Sequence, residues 1–347
     1  MKQLLPLFLI PLGATGMVTS DVTRSRLSEA FLSPSGKLTL SPEIVIPEPT
    51  DPTAILLQTN AVQTLSSRIR ACKANAAFLQ GSVNALATFS AEQETARGNF
   101  PGPIPIIFCL QGSEFDLGAI AESGADGVMI PVCSGNEIEN LAEIATDSTF
   151  TDTCKAAWAC GLQPIPEVTV GQKTASTWSE QDFENMVAQL SEAAGNEPVT
   201  VLLTVNPIDE EQVDPVTLPT VPKALGRKVP ILGSVRVTAG ENRLGAETNR
   251  FKEDGFTGAL LRSDCVPGFR MQPDLEIVSQ FWAACISDLK STKSKSFSFR
   301  SKNNMEKNVM TQWGNYQKSV VESGALGDPD ESFSALDEQA GDYKGFA

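Results

Sequence analysis

Two stretches of this chain, far apart, repeat one pattern of apolar runs and glycines. The first reads Ile104-Pro-Ile-Ile107, then Gly124-Ala-Asp-Gly127-Val-Met-Ile-Pro-Val-Cys133. The second reads Val229-Pro-Ile-Leu232, then Gly255-Phe-Thr-Gly258-Ala-Leu-Leu-Arg-Ser-Asp-Cys265. In each, a short apolar run leads through a polar, helix-compatible segment into Gly-x-x-Gly and a second apolar run. That is strand, helix, strand, written twice. The runs show no polar/apolar alternation, the pattern of strands covered on both faces, as parallel strands are. Two related units of this kind predict a barrel built from similar halves.

The rest of the chain supplies the missing elements. Strands are expected at 38–45, 83–89, 104–109, 127–132, 162–168, 199–205, 229–235 and 258–261. Helical spacing fills 53–79, 118–123, 137–145, 152–160, 179–194 and 274–289. Gly124 and Gly161 stand where glycine ends a helix, and Ser179 with Asp182 gives a capping box. Eight strands alternating with helices predict an α/β fold of the (β/α)8 TIM-barrel type over 38–289. The competing doubly wound sheet lacks its signature, since no Gly-x-Gly-x-x-Gly loop follows a strand. A barrel needs roughly 200–250 residues, so a chain of 347 carries extensions at both ends.

At the start, Lys2 precedes an apolar run, 4–12, and the small residues Gly13-Ala14-Thr15-Gly16, as in a signal peptide. The run is too short for a transmembrane helix, so no membrane span is expected in the mature chain. The following stretch, 18–37, is rich in Ser, Thr and Arg, with Asp21 and Glu29 as its acids. Signal plus transit-like segment resembles the two-part presequence of plastid proteins in algae with secondary plastids. Residues 1–37 are therefore read as a targeting leader to the plastid (chloroplast) stroma, with secretion as the alternative. Beyond the barrel, 290–304 reads as a basic linker, 305–321 as a short helix, and 322–347 as an acidic tail, disordered until bound. Trp313, Tyr316, Phe333, Tyr343 and Phe346 are unusual in a purely solvating tail. They suggest a docking segment for a plastid protein complex.

Composition narrows the chemistry. The chain has no histidine, which excludes His-ligated zinc, Ser-His-Asp triads and Cys-His pairs. Its formal charge of −15 argues against a nucleic-acid partner. The seven cysteines form no C-x-x-C pair and read as reduced core thiols, not a zinc site. No metal or cofactor is expected.

In such barrels the working residues sit at the C-terminal ends of the strands. The candidates there are Cys109, Gln111, Cys133, Ser134, Glu167, Asn206, Asp209, Ser234, Arg236, Arg262, Ser263 and Asp264. Glu167 is the leading catalytic candidate. Arg236, Arg243 and Arg262 offer cationic ligands to a phosphorylated small molecule, with backbone N–H groups from Gly233-Ser234. Alternatively each arginine pairs with an acid, from Glu241, Glu253 or Asp264.

The order of these tips resembles indole-3-glycerol-phosphate synthase, a (β/α)8 lyase of tryptophan biosynthesis. The resemblance is carried by Ser123-Gly-Ala-Asp-Gly-Val-Met-Ile130, Gly161-Leu-Gln-Pro-Ile-Pro-Glu-Val168, Pro230-Ile-Leu-Gly-Ser-Val235 and Phe256-Thr-Gly-Ala-Leu-Leu-Arg-Ser263, and by Asp51-Pro52 ahead of the first helix. It implies that Glu167 and Asn206 take the places of the family's strand-five glutamate and strand-six asparagine. It places Gly233, Ser234, Arg236, Arg262 and Ser263 where the family binds phosphate. Two departures oppose activity. Cys109-Leu110 stands where the family has its strand-three lysine, the general acid. Ser41-Pro-Glu-Ile-Val-Ile-Pro47 lacks the strand-one lysine. Losing a general acid removes about 10²–10⁴-fold of rate. The expectation is a catalytically degenerate barrel (a pseudoenzyme), a binding or structural subunit, with an active lyase or isomerase as the alternative.

Overall fold

Eight parallel strands close on themselves: β1 (Thr39–Val45), β2 (Ala77–Gln80), β3 (Ile106–Cys109), β4 (Gly127–Pro131), β5 (Gln163–Thr169), β6 (Val201–Thr204), β7 (Ile231–Val235) and β8 (Gly258–Leu261). They follow one another in chain order, and β8 pairs with β1, Thr39 opposite Gly258, to complete the (β/α)8 barrel. The computed structural model describes residues 26–33, 36–49, 52–110, 112, 115–138, 141–171, 178–195, 197–205, 218–226, 228–236, 244–266 and 274–291. Helices Pro52–Ala71, Val83–Thr95 and Leu275–Ser291 belong to the outer ring. Helix Glu180–Ala193 starts at the predicted capping box: the Ser179 hydroxyl accepts from Asp182 N, while Asp182 accepts from Ser179 N at 2.8 Å.

The second strand is a correction. The expected strand 83–89 is the start of helix Val83–Thr95, and β2 lies just upstream. The Ser82 hydroxyl caps this helix by accepting from Ala85 N at 3.2 Å. Ala85, Leu86, Phe89 and Gln93 then recur at helical spacing on its buried side. The true strand is the short apolar run Ala77-Phe78-Leu79, which the sequence merges into the preceding helix.

The repeated motif is reproduced in hydrogen bonds. Asp126, just before β4, donates its N–H to Ile106 O (2.8 Å), accepts from Ile106 N on Oδ2 (2.8 Å), and its carbonyl accepts from Gln163 N (3.2 Å). Thr257, just before β8, donates to Ile231 O (2.9 Å), accepts from Ile231 N on Oγ1 (3.0 Å), and its carbonyl accepts from Thr39 N (3.0 Å). One residue thus clamps three consecutive strands at the N-terminal end of each copy. The glycine opening β8 leaves room for this. A Cβ on Gly258 would stand 2.2 Å from Thr39 Oγ1 and 2.6 Å from Leu232 Cδ2. Gly258→Ala is expected to strain the β8–β1 closure and lower stability by ~1–3 kcal/mol in denaturant unfolding. An unchanged midpoint would contradict the close approach.

The interior is built by period-two alternation. Phe78, Ile107, Met129, Ile165, Leu202, Leu232 and Leu260 form an apolar inner cluster, distinct from the larger core between strands and helices. Leu27 and Phe31 join that cluster from helical residues 26–31, and both are fully buried. Arg26 anchors this helix, giving Nη1 to Asp126 Oδ1 at 2.9 Å and Nη2 to Pro103 O at 3.1 Å. Asn75 ties it to the barrel, donating to Ala30 O at 3.2 Å while accepting from Leu40 N at 3.1 Å. Residues 26–33, counted with the leader on sequence, are therefore packed under the barrel's N-terminal end. Residues 1–25 and 292–347, with Trp313, Tyr316, Phe333, Tyr343 and Phe346, lie outside the described residues.

Candidate site at the barrel mouth

Counting two residues onward from the inner apolar cluster reaches the mouth. Ile165 leads to Glu167, Leu202 to Thr204, Leu232 to Ser234 and Leu260 to Arg262; Ser41 leads likewise to Glu43. These tips share one network. Arg262 lies 5% exposed, and its side chain crosses the mouth. Its Nη1 donates to Glu43 Oε1 at 2.7 Å and its Nε to Ser234 Oγ at 2.8 Å. Its Nη2 donates to Glu167 Oε1 and, at 3.4 Å, to Thr204 Oγ1. The other Glu43 oxygen accepts from Ser263 N and Ser263 Oγ, both at 3.0 Å. Strands β1, β5, β6, β7 and β8 are thereby joined through one guanidinium.

Burial raises the Glu43 carboxyl, but the Arg262 charge and the two Ser263 donors outweigh it and hold Glu43 below the usual glutamate range. With both carboxylates ionised, two negative charges against one positive leave the cluster at −1. Arg236 makes a separate, partly exposed pair with Asp264 at 3.1 Å. Burial pushes Asp264 up, against the pull of Arg236. Cys109, fully enclosed at the tip of β3, has its thiol pushed well above the ordinary value by burial and then by Glu43. It is a neutral thiol, not a nucleophile.

Sequence reasoning brought Glu167, Ser234, Arg262 and Ser263 to the mouth, and the structure joins all four. Gly233 serves packing: it lies inside β7, and a Cβ there would meet the Phe251 ring at 2.5 Å. Glu43 was missed. Its signal was the alternation along 39–45, obscured by Pro42 and by reading the segment for an absent lysine. At the tip of β4, Cys133 and Ser134 both adopt left-handed backbone (φ 50° and 55°), with Cys133 N donating to Asp147 Oδ2 at 2.7 Å. Gln111, Asn206, Asp209, Glu241 and Arg243 lie outside the described residues. Among the described residues, no three His, Cys, Asp or Glu side chains converge to hold a metal ion. No described helix is long and apolar enough to cross a membrane.

No protein-family model matches the chain, and no curated protein matches it. Solved structures do. The YdjI aldolase of Escherichia coli K12 aligns with a TM-score of 0.41 and 11% identity, over 88% of this chain and 97% of that one. N-acetylneuraminate lyase from Mycoplasma synoviae gives 0.41 and 12%, covering 84% of each chain. The carboxyl transferase domain of Rhizobium etli pyruvate carboxylase gives 0.48 and 11%, over 94% of this chain and 56% of that one. What this chain has in common with them is the (β/α)8 barrel fold.

Proposed function

We propose that this barrel is a catalytically degenerate relative of indole-3-glycerol-phosphate synthase that serves as a binding or structural subunit in a plastid. One observation carries the reading: Arg262, at the position the resemblance gives to phosphate binding, gives its guanidinium to Glu43, Glu167, Ser234 and Thr204. A phosphate arriving there meets a cation already neutralised by two carboxylates, and Ser263 already spent on Glu43. No lysine stands at the tips of β1 or β3 to protonate a carbonyl oxygen. The leader-like sequence and the seven free cysteines support a reducing stroma.

The second reading is a lyase or isomerase that acts through Glu167, whose side chain keeps 14% of its surface exposed at the mouth. The purified full chain separates the two. The expected result is no saturable binding of inorganic phosphate by calorimetry and no turnover of carboxyphenylamino-deoxyribulose phosphate. Turnover abolished by Glu167→Gln would overturn the degenerate reading.

A further inference from the structure

We propose that the face of the barrel around Phe100 is a docking site for the chain's own acidic segment Asp328–Glu338, with Phe333 as its anchor. Phe100 is 86% exposed. It borders a pocket of about 280 Å³ whose walls include Ser67, Arg70, Ala71, Ala96 and Pro101. The Lys73 ammonium stands 5.2 Å from the Phe100 ring centroid. An exposed aromatic ring, a shallow recess with both apolar and polar walls and a cation beside them suit an aromatic side chain flanked by carboxylates.

The place where the packed chain ends selects the occupant. The helix Leu275–Ser291 closes with Lys290, whose ammonium donates to Lys73 O and, at 2.8 Å, to Asn75 Oδ1. The C-terminal segment therefore leaves the barrel beside Lys73, the residue that covers Phe100. Charge agrees. No carboxylate of the described residues pairs with Lys73 or Lys290, whereas Arg70 is held by Glu92 and Arg97 by Glu94. In the tail, Asp328, Asp330, Glu331, Asp337 and Glu338 surround Phe333 with no basic residue between them. About 40 residues separate the last barrel helix from Phe333, and a chain of that length spans about 35 Å root-mean-square as a coil, enough to return to a pocket beside its own exit. Such tethering gives an effective concentration on the order of millimolar. The tail thereby covers this face until a partner competes for it. The inference extends the binding-subunit reading, but does not need it.

Hydrogen exchange and zero-length carbodiimide coupling on the full chain test this. Exchange in 67–73 and 95–101 is expected to be slowed about tenfold in the wild type, and the slowing lost in Phe333→Ala. Phe100→Ser, at a side chain that packs against little, should have the same effect. Coupling should join Lys73 or Lys290 to an acid of 328–338 within one molecule, with a yield independent of dilution. Exchange unchanged in both variants, or no such cross-link, would overturn the proposal. Cross-links that vanish on dilution would overturn it too, in favour of a second copy as the occupant. Phosphate binding or turnover at the mouth would refute the function proposed above and leave this docking untouched.

Discussion

Arg262→Met is expected to lower stability by ~3–5 kcal/mol, the usual cost of leaving buried charges without their partner. For a barrel of this size that corresponds to about 6–20 °C in Tm. The wild-type guanidinium faces Glu43 on one side and Glu167 on the other, with Ser234 on its Nε. Methionine fills much of the volume of the stem but leaves both carboxylates in a site with little water. The loss should depend on pH with a definite sign. In the wild type Glu43 titrates below its ordinary range, so its stabilising contribution is full above the unfolded value and fades as pH falls through the folded one. In Arg262→Met that charge is gone, and burial, the largest influence on Glu43, is opposed only by the two Ser263 donors, so the carboxyl moves up. That carboxyl then opposes folding above the unfolded pKa, about 4.3, and ceases to do so as it protonates. The gap between the two proteins should therefore be widest near neutral pH and narrow in acid. Denaturant unfolding at pH 7 and pH 4 measures both numbers. A gap of equal size at both would mean that packing of the arginine stem, not its charge, is what counts. Replacing Arg262, Glu43 and Glu167 together by apolar residues should recover most of the loss, since no charge is then left unpaired.

The same network shows where sequence reasoning stopped. The four strands expected from the repeated local pattern are present, at 106–109, 127–131, 231–235 and 258–261, and the repeat marks β3–β4 and β7–β8. Those strands are covered on both faces, so their sequence is nearly pure apolar and stands out. Strand β2 did not, because four residues following a long helix carry no period of their own, while Val83 and its neighbours imitate a strand until the Ser82 cap is considered. Which acid answers which arginine depends on opposite sides of a closed barrel. Asp264, 28 positions from Arg236 at the tip of the next strand, was already among the acids the sequence offered to it. Glu43 and Arg262 are separated by 219 positions, and only the closure of β8 onto β1 brings them together. Barrel closure is a property of the whole chain, and no window of sequence contains it.

The second large effect is expected at the floor of the closed barrel. Leu27→Ala and Phe31→Ala should each cost ~2–5 kcal/mol, the range for emptying a fully buried aliphatic or aromatic site. The two side chains lie one helical turn apart on one face and enter the inner cluster together, Phe31 with its ring centroid 6.3 Å from that of Phe78. Leu27 Cδ1 stands 3.1 Å from the position a Cβ on Gly127 would take, so the glycine of the first repeat copy makes room for this helix. Because they share neighbours, the double variant should lose less than the sum of the singles. Truncation extends the test: removing 1–32 should expose Phe78, Ile107 and Met129 from below and unfold the barrel near room temperature or leave it insoluble. If the chain starting at 33 melts where the full chain does, the floor helix is dispensable.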